Sequence, residues 1–249
     1  MQILFIFFLF TFTSKSLEKQ YTNDKQYCIY YTINLNLDDN SQLQAYYQTR
    51  RLIPDKSNHD QFNLAYIYKI NQNVKVGTGF TYFLLHLPQS EGTPIEIIPR
   101  EFRPNQFISF SNMITDKLKF QNRILIEERF FQAIENNKLT DKYNFSIRLR
   151  LLGQFTYDLF KIYSENENFG VYISDEILVH FGSKIIFNTF DQNRFQTGIY
   201  YNPNKMFNLK LGYMHWFQET NKFTNETFHY LSRNAIVFSI SNNFDIFDK

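Results

Sequence analysis

The chain has 249 residues, enough for one large all-β domain or two small ones. A formal charge of +2 gives no argument for nucleic acid or a strongly acidic partner, and a single cysteine, Cys28, excludes an intramolecular disulfide. Aromatic residues make up 19% of the chain, with 29 Phe and 17 Tyr against 8 Gly and 6 Pro, a balance that suits long strands and aromatic belts.

Residues 1–16, MQILFIFFLFTFTSKS, have the features of a secretory signal. The apolar run from Ile3 to Phe12 is shorter than the ~20 residues that a spanning helix needs. Ser14-Lys15-Ser16 supplies small residues for cleavage before Leu17, and an uncleaved membrane anchor is the alternative reading. Residues 17–26 are polar and expected as a flexible lead-in, so the folded domain is expected over 27–249. Cys28 is expected as an inert apolar side chain on a first strand.

Alternating segments follow. Over 30–38, Tyr31, Ile33, Leu35 and Leu37 oppose Thr32, Asn34 and Asn36, and 38–41 carry turn chemistry. Residues 42–51 place Gln44, Tyr46, Gln48 and Arg50 on the polar face, before a loop over 52–60. Over 61–70, Phe62, Leu64, Tyr66 and Tyr68 oppose Asn63, Ala65 and Lys69. Over 74–87, Gly77, Gly79 and Thr81 share a face, small residues that relieve crowding inside a curved sheet. Pro88, Pro94, Pro99 and Pro104 mark a loop over 88–104, where an extracellular or rim function is expected. Strands are expected over 103–114, 117–132, 144–153, 169–181, 191–202, 207–218 and 230–243, with 154–168 ambiguous between strand end and loop.

The segments 117–132 and 144–153 alternate most cleanly. Phe145, Ile147, Leu149 and Leu151 point one way, and Asn144, Ser146, Arg148 and Arg150 the other. The chain thus offers about eleven long strands with no helical period, and with no partner sheet their apolar faces must meet lipid. The fold class expected is an all-β, single-domain, antiparallel transmembrane β-barrel. Because single-chain barrels normally have an even count, about twelve strands are expected, with ten the next choice.

Taking every polar face inward gathers Arg50, Glu101, Arg103, Arg123, Glu127, Arg129, Arg148, Arg150, Glu176 and Arg194. Glu128 and Asp175 fall on the opposite parity and are expected at a rim or at bulges. Three readings of the interior stay open: a structural ladder that fills and stiffens it, a small arginine-lined pore favouring anionic solutes, and a substrate-binding or enzymatic interior. His59, His86, His180, His215 and His229 are scattered, and each is expected as an interfacial side chain. The pairings His180 with Ser183 and His229 with Ser232 carry the alternative of a membrane-barrel enzyme acting on lipids. No metal-ligand spacing or glycine-rich phosphate loop is present, so no cofactor is expected. Tyr66, Tyr68, Tyr82, Tyr200, Tyr201, Tyr213 and Trp216 are expected in the interfacial girdle or in inner packing.

The series EFR at 101–103, NRILIEERF at 122–130, RLRL at 148–151, SDEI at 174–177, FDQNRFQTGI at 190–199 and LGYMHWF at 211–217 resembles domain of unknown function 2490. The resemblance runs over roughly 27–243. It implies an outer-membrane barrel, found mainly in the Bacteroidetes group of bacteria, with no established activity. Outer-membrane lipid is the partner expected from both arguments.

Overall fold

The computed structural model describes residues 19–53, 56–87, 97–161, 167–182, 189–224 and 227–246. It contains eleven strands: β1 (Lys19–Asn36), β2 (Ser41–Leu52), β3 (Lys56–Lys69), β4 (Val74–Leu85), β5 (Arg100–Met113), β6 (Leu118–Glu135), β7 (Lys138–Lys161), β8 (Asn168–Phe181), β9 (Phe190–Asn204), β10 (Phe207–Thr224) and β11 (Thr227–Asp245). Each strand pairs with its neighbours in chain order, and β11 closes on β1. The described residues hold no helix long and apolar enough to cross a membrane, which leaves crossing by strands untouched.

The closure corrects two expectations. Successive strands are antiparallel, so direction alternates along the chain and an eleventh strand must run as the first does. β1 and β11 accordingly pair in parallel, from Lys19 opposite Phe228 to Asn36 opposite Asp245. Among the described residues the barrel therefore has eleven strands rather than twelve, and its sheet is mixed rather than wholly antiparallel. β1 also takes in most of the segment expected as a lead-in, because residues 19–26 find partners along β11.

Other boundaries shift for local reasons. β3 begins at Lys56, inside the expected loop, and β7 continues through the ambiguous stretch to Lys161. Pro104 lies in β5, opposite Phe80, rather than in a loop. Lacking an N–H, it leaves a gap in the β5–β6 ladder between the pairs Phe102–Phe130 and Asn105–Glu127. Residues 88–96, most of the proline-rich loop, lie outside the described residues, as do the signal segment and Ser183.

The short turns at one end share a device. Asp38 Oδ1 accepts from the N–H groups of Asn40 and Ser41, both at 2.7 Å. Asn71 does the same for Asn73 and Val74, and Asn204 for Met206 and Phe207. At the other end, Asn136 and Asn137 have φ of 52° and 58°, the left-handed pair that a two-residue hairpin turn requires.

Alternation decides the faces. Leu64 is 59% exposed and its neighbour Ala65 4%, while Ile147 is 39% exposed and Arg148 3%. Large apolar side chains remain exposed on the outer face of nearly every strand, among them Phe80, Ile126, Phe145, Leu151, Ile173, Leu211 and Ile236. The buried residues point into the barrel. Cys28, Met214, Ala235 and Val237 form an apolar patch inside, where β10, β11 and β1 meet, with Tyr30 packed on it.

Candidate functional site

All ten charged residues picked out by parity line one interior cavity of about 410 Å³. All but Arg50 form linked ion pairs along the wall built by β5 to β9. Glu127 and Arg148 face each other directly across β6 and β7, and Arg148 Nε donates to Glu127 Oε2 at 2.5 Å. Arg148 Nη1 donates onward to Asp191 Oδ2 at 3.1 Å. Arg150, one step along the same face, gives Nη1 to Glu127 at 3.1 Å and grips Glu176 with Nη2 at 2.8 and 2.9 Å. Glu176 also accepts from Arg123 Nη2 at 3.0 Å and has Arg194 Nη1 at 3.5 Å. A second knot forms at Glu101, which accepts from Arg103 at 2.7 Å and from Arg129 Nε at 2.5 Å. Four carboxylates, Glu101, Glu127, Glu176 and Asp191, thus serve five arginines through short charge-assisted bonds, with Arg194 as a longer sixth partner. Charge so deeply buried is tolerated only because each group meets an opposite one.

Arg50 stands apart. It is 2% exposed, has no carboxylate partner among the described residues, and lies over Trp216 with 4.2 Å from Cζ to the ring centroid. With the Gln48 amide oxygen turned toward it, Gln48 accepts from Arg50 Nε and Nη2 at 2.5 and 3.0 Å. Arg103 likewise covers the ring of Phe83 at 4.1 Å.

Two further cavities lie along the axis. One of about 420 Å³ opens at the end that holds Leu87, Pro99 and Asn144, and it shares Glu101 and Arg129 with the central chamber. The other, about 580 Å³, sits at the turn end and is bordered by Lys69, Lys75 and Lys119 and by Asp38, Asp39 and Asp245. Lys69 and Lys75 are directly opposite across β3 and β4, a like-charge pairing that costs stability in an ordinary sheet. Lys210 also faces inward, with Nζ 5.4 Å from the ring centroid of Tyr172. Among the described residues, none of these four lysines makes an ion pair.

The turn-end cavity and the central chamber share no lining residue. Between them runs the register row Ile67–Gly77–Phe107–Leu125 across β3 to β6. The Phe107 ring occupies the space where a side chain at position 77 would stand, so glycine there is what lets the ring lie flat on the wall.

Several residues had other expected places. His59 and His180 are buried inside rather than interfacial; His59 packs its ring 4.8 Å from Phe83. His86 does sit outside the chamber lining, 3.0 Å from Asp60. Asp175 faces outward with its register unbroken, so it marks no bulge, and it accepts from Asn193 Nδ2 at 2.7 Å. Glu128 is in register with Ile147 of β7 and beside the gap that Pro104 leaves. Asp191 enters the site through a bulge between the pairs of Leu178 and Val179, a shift invisible to strict parity. Ser232 stands opposite Phe217, on the outward parity of β11. No group of three or more His, Cys, Asp or Glu that could hold a metal ion occurs among the described residues.

The inward arginines, the Asp-Glu strand and the Asp-Gln-Asn-Arg strand form one connected interior, and the model of the family described as "Protein of unknown function (DUF2490)" matches residues 25–227. The chain belongs to that family. The matched span covers β2 through β10 completely, so every residue of the arginine–carboxylate wall lies within it. No match was found among curated proteins or among solved structures.

Proposed function

We propose that this DUF2490 chain is an outer-membrane β-barrel whose cationic interior passes small anions. The carrying observation is the opposition of its two surfaces. Outward, nearly every strand presents exposed Phe, Ile, Leu or Tyr, a run of apolar surface of the kind that marks membrane contact. Inward, arginines outnumber the carboxylates they pair with, and Lys69, Lys75 and Lys119 line one mouth beside Asp38, Asp39 and Asp245 without an ion pair among the described residues. Strands of 12 to 24 residues are long enough to cross a hydrocarbon core of ~25–30 Å when tilted. Closure leaves no unpaired edge for the bilayer to reject. Rings of basic side chains favour anions in pores.

A second reading has its own observation. The separation of the turn-end cavity from the central chamber suits a closed structural barrel stiffened by the Arg–Glu network. Planar-bilayer recordings of the refolded chain distinguish the two. Steady conductance supports the anion path, whereas inserted barrels that never conduct support the closed one. Recovery of the exported chain in the aqueous periplasm without detergent contradicts both.

A further inference from the structure

On the wall where β9, β10, β11, β1 and β2 meet, three guanidiniums surround one indole. Arg50 lies 4.2 Å, Arg194 5.0 Å and Arg233 5.1 Å from the ring centroid of Trp216. Register explains the grouping: Arg194, Trp216 and Arg233 form one row across β9 to β11, and Arg50 reaches it from β2. Counter-charge is short here. Arg233 Nε donates to Asp24 at 3.2 Å. Arg194 shares Glu176 with Arg150 and Arg123, and Arg50 has only the neutral Gln48 amide among the described residues.

Two donors remain unused. Arg50 Nη1 and Trp216 Nε1 are buried with no hydrogen-bond partner among the described residues, and both residues line the central chamber. A buried donor left unmade is costly, and so is a buried charge without a counterion. Both deficits sit on adjacent groups beside a cavity of about 410 Å³.

We propose that Arg50 and Trp216, with Arg194 and Arg233 behind them, form a binding subsite for a small oxyanion, a carboxylate or phosphate group. This rests on the reading of the interior as an anion path, and it names the class of anion held there. A guanidinium fork beside an indole N–H suits two oxygens on one centre better than a spherical halide.

Trp216 is the sole tryptophan, so its emission reports on the subsite directly. Inorganic phosphate is titrated into the full chain refolded in detergent, at constant ionic strength with chloride as the balancing anion. The expected result is a saturable change in emission with phosphate and none with chloride. Arg50→Gln weakens phosphate binding by about tenfold or more, and Arg50→Lys falls between. If Arg50→Gln does not fold, Arg233→Gln gives the same reading. Absence of a saturable response in a chain whose heat-modifiable migration reports a folded barrel overturns the subsite and leaves the anion path standing. Equal affinity in wild type and Arg50→Gln overturns it as well. Saturable binding in a barrel that never conducts keeps the subsite and overturns the path.

Discussion

The two halves of the interior wall use the same residue type to different ends. Along β5 to β9, arginines alternate with Glu101, Glu127, Glu176 and Asp191, and nearly every guanidinium has a carboxylate at bonding distance. Along β10, β11, β1 and β2, an apolar patch of Cys28, Met214, Ala235 and Val237 is buried, and Arg50 and Arg233 lean on Trp216 with Asp24 as their one acid in bonding reach among the described residues. A matched set of charges holds strands in place. A surplus of one sign is available to something that arrives from outside.

Removing a charge from the matched wall has the largest expected effect. Arg148→Ala leaves Asp191 with no arginine at bonding distance among the described residues and Glu127 with Arg150 alone, and it lowers unfolding stability by about 3–5 kcal/mol, read from urea midpoints in lipid or detergent. A loss as small as that of a surface substitution breaks the contrast between the walls. Next comes the exterior: Ile126→Arg, at the middle of β6 and 43% exposed, costs about 2–4 kcal/mol in a bilayer. A neutral result there removes the lipid-facing surface from the account.

Close packing where the two halves meet, at β9 and β10, gives a smaller effect. A Cβ at Gly198 falls on the Leu211 carbonyl oxygen and Gly212 Cα, while Tyr172 lies over both glycines. Gly198→Ala should therefore cost about 1–3 kcal/mol, because backbone cannot move aside as a side-chain tip can. Gly153→Ala, whose nearest neighbour is Phe120 at 3.9 Å, serves as the tolerant control in the same melts. Smallest in stability is Phe107→Ala, which thins the row dividing the turn-end cavity from the chamber. Its expected signature is a larger single-channel conductance, and an unchanged one means that the constriction lies elsewhere.

How much of this was legible in the sequence follows from what is local. Alternation is a property of adjacent residues, so Arg148 and Arg150 could be read inward beside Ile147 and Leu151, and the ten interior charges came with it. Asp191 was hidden because a bulge moves it to the inner face, and parity alone places it outside. Arg233 and Trp216 become partners through strands that meet across β10 and β11. The lysines at the turn end left a partial signal: Lys69 and Lys75 flank the turn at Asn71–Asn73 on one face. Their meeting with Lys119 needed the closed barrel. Strand number was the least local feature, since it depends on which strand β1 pairs with at the seam.

The central claim, a membrane barrel with an anion-favouring interior, is tested most directly by the reversal potential of single barrels across a potassium chloride gradient. A shift toward the chloride potential is expected, reduced or reversed by Lys75→Glu with Lys119→Glu at the turn-end mouth. A potential on the potassium side in the wild type, or one that ignores both charge reversals, would contradict it.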